Sequence, residues 1–527
     1  MNTPSRRVLW AIVPVLAVLS CGPSGDSVAG EGAGGGGAPA TQVTPDPGID
    51  LANAYFISPT GQDSNAGRSE SRPVRTFSHA FSAMPGGNTL ILLDGVYSEA
   101  AGTGTIHYSG RGSGQPPSGQ AARPTQVRAL RPGRVTVAGP LFLGRSTRKD
   151  SFIRITGITF QGGGDLYNTS YVTVKDCGFH GSFNIGTNDH HEGNTRNLVE
   201  DVWIWASGER IIASNYRSHE NVWRRVIVRG DGCGTADCRG SGNPNVGITV
   251  YDSQDVSLQN VMVVDRILAN GDEPYADFAA AQHTPESRYY LGRCEWLGTI
   301  SLRSPDVGYY LEPDDVVHPT FRVVDAVAWD ARYDGFNLSR SGSLALQNLT
   351  AKALEEDAVR VAPGLTRGSV SNVLVAGAGR YGINSAVTPS YTNVYGAADS
   401  PYNQTSCSLG CYAHDPVADG SLKYITRIES GSYLKGRGES GADIGANVLY
   451  RYGDDGARFG DAGYNTLTST PLWPWPNEER LEREMCAESG VTRGFCAAPS
   501  LTRYIWEYLG HPIPADLGGT SAGTVGR

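Results

Sequence analysis

The chain has 527 residues, of which 39% are hydrophobic and 18% are charged, and this apolar content is enough for a large core. The formal net charge of −9, with no basic stripe in the sequence, argues against nucleic acid as the main partner. An acidic polysaccharide would need local basic residues or bound cations to offset this charge.

The chain begins with the pattern of a bacterial export signal. A positively charged start and a short apolar run precede Val-Leu-Ser-Cys at 18–21, which resembles a lipobox. The sequence therefore predicts a lipoprotein signal peptide over 1–21, with a lipid anchor at Cys21 and a location at the outer membrane or cell surface. An ordinary signal peptide cleaved near Ser20 is the alternative. Residues 22–50, rich in Gly, Ser and Pro, predict a flexible linker.

Four short motifs mark the start of the folded part. They are Tyr-Phe-Ile-Ser-Pro-Thr-Gly at 55–61, Arg-Thr-Phe-Ser-His-Ala-Phe at 75–81, Pro-Gly-Gly-Asn-Thr-Leu at 85–90 and Asp-Gly-Val-Tyr at 94–97. Together they resemble the opening of secreted bacterial right-handed parallel β-helix proteins of the pectate-lyase-like superfamily. The resemblance implies that an amphipathic helix, here about 75–84, closes the first turn of the coil, which would otherwise expose strand edges. It implies little about activity.

A unit of three short strands recurs along the middle of the chain. In 248–265, alternating apolar and polar residues form two strands around a polar bend, and a third strand follows Asn260. The equivalent positions are Gly157, Asp176, Asp201, Arg225, Asn260, Arg293, Asp325, Asn348, Asn372 and Asn393. Most lie roughly 19 to 25 residues apart, too few for a unit to bury its apolar face alone. The sequence therefore predicts an all-β fold over 51–452, a parallel β-helix of about ten or more turns with a side-chain ladder at the bend. The family resemblance implies that this β-helix is right-handed.

Longer spacings point to a functional groove. Three consecutive units widen to roughly 32 to 35 residues, and we place the extra residues in loops at about 229–246, 265–276 and 298–308. These loops would wall a groove over the sheet formed by the first strand of each unit. Loops on a rigid scaffold are the usual home of binding and catalytic residues.

Strand alternation nominates side chains for the groove. The predicted floor contains Arg210, Thr249, Tyr251, His283, Tyr310, Glu312, Asn337 and Arg360, and the predicted walls contain Asp231, Asp237, Arg239, Asp272 and Asp277. Arg340, which follows Asn337 closely, is a further candidate for substrate binding. Aromatic rings for stacking sugars, cationic groups and an acid in one row are typical of a polysaccharide site.

Two chemistries suit such a groove, and β-elimination is preferred. In a lyase, His283 or Tyr310 would be the base, and Arg210 or a calcium ion held by Asp231 would neutralise the uronate carboxylate. In a hydrolase, Glu312 would pair with Asp231 or Asp272. The alternative to both is a non-catalytic glycan-binding or adhesive surface protein.

Two acidic turns resemble part of a known calcium site. Asp334-Gly335-Phe336 and residues 355–358 (Glu-Glu-Asp-Ala) resemble the turns of calcium-dependent β-helix pectate lyases. The Lys that follows the first turn in those enzymes is missing here, so neither the base nor the calcium ligands are carried over. Asp189 with His190, His191 and Glu192 could bind a metal, but an exposed polar turn is favoured, because adjacent histidines seldom converge on one ion.

The cysteines agree with export. Apart from Cys21 there are eight, and the close pairs Cys233/Cys238, Cys407/Cys411 and Cys486/Cys496 predict local disulfides. Cys177 and Cys294, both placed at the bend, would be buried free thiols. A zinc site built from the first two pairs is the competing interpretation.

The C-terminal region predicts a helical and irregular extension over 453–514, with helices at 477–488 and 500–509. Its aromatic residues either cap the far end of the coil or pack along one side, and packing is favoured over sugar stacking for Trp473, Trp475 and Trp506. Residues 515–527 are expected to be disordered. A monomer that binds polysaccharide is expected.

Overall fold

The computed structural model describes residues 53–186, 194–206, 208–239, 245–281, 293–312, 320–338, 342–362, 365–487 and 491–517. The predicted signal peptide with Cys21, the linker, the Asp189–Glu192 turn and most of the predicted tail lie outside these residues. Among the described residues, no helix is both long enough and apolar enough to cross a membrane.

A short helix, Phe77–Ala83, closes the first turn of the coil, as predicted. Thr76 caps it, because its hydroxyl accepts a hydrogen bond of 3.1 Å from the His79 amide and donates one of 2.8 Å to Asp63. Phe77 and Phe81 are buried in the main core. The helix therefore covers apolar interior that an open coil end would expose.

Two long parallel sheets form the body of a right-handed parallel β-helix, which confirms the predicted fold. The front sheet has 11 strands: Leu141–Leu143, Gly164–Leu166, Phe183–Gly186, Ile211–Tyr216, Asn245–Tyr251, Pro274–Ala281, Val307–Glu312, Phe336–Leu338, Val359–Val361, Tyr381–Ser385 and Ser400–Asn403. The back sheet has 20: Ala54–Ile57, Thr89–Leu92, Gly95–Tyr97, Thr125–Ala129, Val135–Val137, Ile153–Thr156, Thr159–Phe160, Thr173–Lys175, Gly178–His180, Leu198–Ala206, His219–Gly230, Gln254–Gln259, Met262–Val264, Arg293–Leu297, Ile300–Leu302, Thr320–Ala331, Gly342–Ala353, Leu365–Ala378, Ser390–Ala397 and Cys411–Tyr412. Two small pairs accompany them, Asp150–Ser151 with Thr169–Ser170, and Tyr450–Tyr452 with Leu467–Pro471.

One residue per turn, with a positive φ, bends the back sheet. These residues are Gly157, Asp176, Asp201, Arg225, Asn260, Gly298, Asp325, Asn348, Asn372 and Tyr391. The predicted bends at Arg293 and Asn393 are therefore wrong, and the others are confirmed. Arg293 begins the strand before the bend, and the bend itself is made by Gly298, which has no polar side chain to mark it. Asn393 lies inside a strand.

The bend side chains form the predicted ladder in the later turns. The Asn372 amide donates to the Asn348 oxygen at 2.9 Å, and the Asn348 amide donates to Asp325 at 3.0 Å. Each of these polar groups is thereby satisfied by the turn beside it, which a partly buried amide needs.

Aromatic side chains stack from turn to turn inside the coil. Phe160 lies over Phe179 with 5.1 Å between ring centroids, and Tyr309 lies between Phe278 at 4.6 Å and Phe336 at 4.5 Å. Paired parallel strands repeat equivalent positions about 4.8 Å apart, so rings at one position fall into register.

The C-terminal segment runs back along the coil and binds the bend residues. The Glu439 amide donates to the Asn372 side chain at 2.7 Å, and the Tyr452 amide donates to the Asn260 side chain at 2.7 Å. The Tyr452 hydroxyl also donates to Asp325 at 2.7 Å. The ladder therefore serves as an acceptor for this segment as well as a link between turns.

The extension packs along the side of the coil, which decides between the two predicted positions. Trp473, Trp475 and Trp506 are buried in one cluster with Trp203 and Trp329 of the back sheet. The helices here are Glu478–Met485 and Leu501–Trp506, and short 3₁₀ turns lie at Ala236–Cys238, Glu439–Gly441, Gly494–Ala497 and Ala515–Leu517. Burial of the three indoles leaves them no role in stacking sugars.

All three predicted disulfides are present, between Cys233 and Cys238, Cys407 and Cys411, and Cys486 and Cys496. They occupy the sulfurs that a zinc site would have needed.

The remaining thiols, Cys177 and Cys294, are buried and free, as predicted. Their shared placement at the bend is wrong, because Cys294 pairs with Val256 in the strand before it.

Candidate functional site

The loops between the back and front sheets agree with two of the three predicted insertions. The connection from Gly230 to Asn245 matches the first, and that from Val264 to Pro274 matches the second. The third, at 298–308, is wrong, because the Gly298 bend, a back strand and the start of a front strand occupy more than half of it. The extra length lies instead after the front strands, between 281 and 293 and between 312 and 320.

One row of side chains runs along the front sheet. Strand register aligns Phe142, Asp165, Asn184, Ser214, Thr249, Ala279, Tyr310, Asn337, Arg360, Asn384 and Asn403. We call this set the front row. Arg360 is exposed, Tyr310 and Asn337 are partly exposed, and Thr249 is buried. The register therefore brings four of the predicted floor residues into one line, while Tyr251 lies in the adjacent row.

Three carboxylates converge where two neighbouring front strands begin. Asp334 precedes the strand Phe336–Leu338, and Glu356 with Asp357 precedes Val359–Val361. Each offers an oxygen within 4.8 Å of the others. We call these three residues the carboxylate cluster.

The front row holds this cluster in place. The Asn337 amide donates to Asp334 at 2.6 Å, and the Asn384 amide donates to Asp357 at 2.7 Å. The Asp357 backbone amide donates to the other Asp334 oxygen at 3.0 Å, and an Arg360 Nη1 lies 3.9 Å from Asp334. Floor and cluster are thus one connected network.

Burial disfavours charge on the acids here. It raises the pKa of Asp334 to about 7, with Arg360 opposing the shift and Asp357 adding to it. Burial likewise raises the pKa of Asp306, one turn earlier, to about 7. Carboxylates that share so small a volume repel one another unless a proton or a cation lies among them.

We expect calcium affinity to rise with pH up to about 8 and binding to release protons, because the cation needs Asp334 ionised. Without calcium, the stability of the protein is expected to fall as the pH rises. Because the pKa of Asp334 is raised, the folded state binds more protons than the unfolded state, and the stability that this carboxyl contributes is lost between about pH 4 and pH 7. Thermal melting across this range with calcium or chelator checks both statements, and Asp334→Asn should flatten the dependence. A calcium affinity that does not change with pH would contradict it.

The donor set of the cluster fits calcium. Calcium takes six to eight oxygen ligands, with carboxylates foremost, and tolerates irregular geometry. Asp334, Glu356 and Asp357 would hold such an ion, which would supply positive charge beside the front row. Among the residues that the structure describes, the other group with metal-ligand spacing contains Cys233 and Cys238, whose sulfurs form a disulfide.

Tyr310 lies one turn before the cluster in an apolar patch. Its ring meets that of Tyr275 edge-on at 4.9 Å, and both pack on Val246, Ala276 and Ala279. The patch is a floor on which the apolar face of a sugar ring could lie, with polar groups of the cluster beyond one end.

Arg210 lies away from the cluster. It comes just before the strand Ile211–Tyr216, four turns earlier in the sheet, or about 19 Å along the axis. Burial lowers its pKa, and Asp237 and Tyr251 oppose the shift. With Arg266 it lines a small pocket of about 10 Å³. The prediction that Arg210 neutralises the carboxylate of a sugar whose proton Tyr310 removes is therefore not supported.

The predicted wall residue Asp231 has a structural role instead. It is bound by Arg229 at 2.8 Å and by Arg493 of the C-terminal segment, and both hold it on the side of the back sheet. Asp272 is buried and accepts hydrogen bonds from the amides of Cys233 and Ala269, at 2.9 and 2.7 Å. These contacts do not support the prediction that the two acids bind substrate. Their predicted pairing with Glu312 stays a prediction, because the side chain of Glu312 lies outside the described residues.

The prediction that Asp277 lies in the wall of the groove is also wrong. It is fully buried inside the coil, where Arg266 donates to it at 2.8 Å and Ser301 at 2.7 Å. Asp237 and Arg239 are exposed in the first loop, as expected of wall residues. His283, Arg340 and the side chain of Glu312 lie outside the described part of the chain.

The predicted site did not include Asp334, Glu356 and Asp357, which the structure brings together. A signal was present in the turns Asp334-Gly-Phe and Asp357-Ala-Val, which both place an aspartate two residues before the first residue of a front strand. Their recurrence at one position of the coil, rather than any single motif, identifies the cluster.

No family model matches the chain. Pectate lyase L of Dickeya dadantii (strain 3937) is 27% identical over 217 residues, which are 40% of this chain and 47% of that protein. The match therefore spans about half of the relative's length. Among solved structures, pectate lyase Pel9A is 15% identical and covers 76% of this chain and 96% of its own, with a TM-score of 0.45. XylC in complex with xylose is 9% identical and covers 67% and 86%, with a TM-score of 0.42.

The parallel sheets and the match to Pectate lyase L agree with the resemblance seen in the opening motifs. The chain has the pectate-lyase-like right-handed parallel β-helix fold.

Proposed function

We propose that this protein is a polysaccharide lyase that cleaves a uronate-containing glycan by β-elimination on the front sheet. The observation that carries the proposal is the carboxylate cluster, whose three acids lie within 4.8 Å of one another beside the front row. The similarity to Pectate lyase L supports the same reaction class.

The chemistry requires three events at one sugar. A positive charge binds the uronate carboxylate and makes the neighbouring C5 proton more acidic, a base removes that proton, and the C4–O bond breaks as the C4=C5 double bond forms. The oxygen that leaves C4 takes up a proton. A calcium ion held by Asp334, Glu356 and Asp357 would supply the positive charge.

Side chains of the front row can supply the rest. Tyr310 lies one turn from Asn337, within reach of a sugar seated over the cluster, and we assign it as the base. Arg360, exposed on the other side of Asn337, would bind the carboxylate of the bound or adjacent unit. The predicted base His283 lies outside the described residues, so Tyr310 takes this role in the proposal.

The spacing of the acids favours elimination over hydrolysis. A glycosidase needs two carboxyl groups on opposite sides of the bond, about 5 to 9.5 Å apart. The three acids of the cluster lie closer together. The Asp357 amide donates to Asp334, while Asn337 and Asn384 hold Asp334 and Asp357 in place. Such a set suits a shared cation better than a pair of separate catalytic groups.

Asp357→Asn is expected to weaken calcium binding about a hundredfold, because one of the charged ligands is lost while the shape is kept. Calorimetric titration of the metal alone measures this, with Glu439→Gln as a control that removes an exposed carboxylate outside the cluster. Equal calcium affinity in Asp357→Asn and the parent would show that the cluster is not the cation site.

The reaction itself is tested with the part of the chain from about residue 53. Polygalacturonate, alginate and neutral glycans are incubated with it, with calcium or with chelator, and ultraviolet absorbance of unsaturated products is followed. The proposal expects absorbance to rise on a uronate polymer and to disappear with chelator. Retention of glycan without any product would identify the alternative, a glycan-binding surface protein.

We also propose, from the pattern at 1–50, that the protein is exported and lipid-anchored at Cys21, with the coil held off the outer membrane by the linker. Labelling with radioactive palmitate in a bacterial host, compared with Cys21→Ala, tests this. An unlabelled parent protein would argue for the ordinary signal peptide. A monomer remains the expected state.

A further inference from the structure

An aromatic platform lies at the N-terminal end of the front sheet, far from the carboxylate cluster. The Phe142 ring contacts His107 and Tyr108 edge-on, each at 5.1 Å, and stacks with Tyr167 at 5.7 Å. His107 and Tyr108 stack on each other at 4.3 Å. Tyr108 is 48% exposed. We call these four residues the aromatic platform; a solvent-facing group of rings of this kind commonly marks a binding surface.

One carboxyl oxygen beside the platform has no hydrogen-bond partner in the part of the protein that the structure describes. Asp165 pairs in register with Phe142, and its neighbours Gly164 and Leu166 face the interior, so Asp165 projects from the front face. Its Oδ1 is buried and has no partner among the described residues. Burial raises the pKa of this group to about 8, so it is largely protonated at neutral pH. A buried polar atom without a hydrogen bond destabilises the folded protein, and a hydrogen bond from a hydroxyl group of a ligand would offset this cost.

The platform continues the line of the proposed site. Phe142 and Asp165 are the first two residues of the front row, and Asn337 and Arg360 lie toward its other end. In the adjacent row, Tyr216 and Tyr251 stack at 5.1 Å and extend the aromatic surface toward the centre of the sheet. Between Phe142 and Arg360 there are eight steps, or about 38 Å at about 4.8 Å each. A ligand that spans this length must be a polymer.

We propose that the aromatic platform and Asp165 form a distal sugar-binding subsite for the polysaccharide chain that runs along the front row. The proposal rests on the proposed function, because it takes its ligand from there. The rings offer faces for the apolar side of a pyranose, and the protonated Asp165 carboxyl offers both a donor and an acceptor to its hydroxyl groups. The subsite holds the chain and takes no part in breaking it.

The test measures binding of polygalacturonate and alginate, and of their trimers, with calcium supplied, in the Tyr310→Phe background, which removes the proposed base and keeps the proposed calcium ligands. Tyr108→Ala is expected to weaken binding of the long polymer about tenfold, by loss of an aromatic contact, and to leave the trimers unchanged. Tyr450→Ala, which removes an equally exposed tyrosine outside the front sheet, is the matched control.

Asp165→Val separates a ligand role from a structural one. Because Oδ1 has no partner in the protein, this change should maintain or raise the melting temperature while weakening polymer binding about fivefold. Lower stability with unchanged polymer binding would overturn the assignment of Asp165.

The outcomes distinguish the two proposals. Cleavage of a uronate polymer by the parent, with polymer binding insensitive to Tyr108→Ala, would overturn the subsite and leave the lyase standing. Polymer binding that is sensitive to Tyr108→Ala, without cleavage by the parent, would support the subsite and overturn the lyase. No binding of either polymer would overturn both.

Discussion

Tyr310→Phe is expected to lower kcat for uronate elimination by about 10²- to 10⁴-fold, with KM nearly unchanged. A positioned general base contributes about this much to a reaction, and phenylalanine keeps the ring but removes the hydroxyl group assigned to accept the C5 proton. The ring packs on Tyr275 and on the small residues of the patch, so the substitution should not disturb the floor. Initial rates of unsaturated-product formation at several substrate concentrations measure both constants.

Tyr275→Phe is the matched control, because this neighbouring ring lies 4.9 Å from Tyr310 in the same patch. It should retain most of the parent activity. A Tyr310→Phe enzyme with near-parent kcat would mean that the base is another residue, and Arg360→Ala would then be the next variant to measure.

Glu200→Gln is expected to lower the free energy of unfolding by about 3 to 5 kcal/mol, because it leaves buried positive charge without its partner. The Glu200 side chain is fully buried and is bound by Arg224 at 2.8 Å and by Lys175 at 2.7 Å. It also accepts a hydrogen bond from the Gly456 amide at 3.0 Å. The network thus fastens the C-terminal segment to the coil, and urea unfolding followed by circular dichroism measures the loss.

The Glu200 carboxylate also makes the stability of the protein depend on pH in the acid range. Burial raises the pKa of Glu200, but Arg225, Lys175 and Arg224 together outweigh it and bring the pKa to about 2. A lowered pKa contributes stability above about pH 4.5, and this stability is lost as the pH falls toward 2. Glu200→Gln should lack that loss.

Glu355→Gln is the exposed comparison. Its partner Arg332 lies 3.1 Å away, and both side chains are about half exposed. It should therefore change stability by less than about 1 kcal/mol. Equal effects of the Glu200 and Glu355 substitutions would contradict the role assigned to the buried network.

Much of the fold could be predicted from the sequence, because the repeated sequence pattern has a physical cause. A turn of the coil buries its apolar residues only against its neighbours, so alternation and a bend residue recur at similar spacing. Asp176, Asn260 and Asn372 are examples of bends that composition marks. Gly298 and Tyr391 carry no such mark, and only pairing between strands reveals them.

The site was harder to predict because it depends on register across turns. Alternation placed Tyr310, Asn337 and Arg360 in one row, and the structure agrees. The same reasoning failed for Asp231, Asp272 and Asp277, whose partners are distant in sequence or lie inside the coil. Asp334 and Asp357 converge because the two turns that carry them lie side by side. The spacing of these residues in the sequence indicates this contact only weakly.

Mass spectrometry of the products released from polygalacturonate and alginate in the presence of calcium tests the central claim most directly. Elimination yields a fragment whose new end carries a C4=C5 double bond, so it is lighter by one water than the corresponding hydrolysis product. The account predicts such unsaturated fragments from at least one of the two polymers, and none after calcium is chelated. Saturated fragments alone would show that the protein hydrolyses its glycan and would contradict the roles given to Tyr310 and the carboxylate cluster.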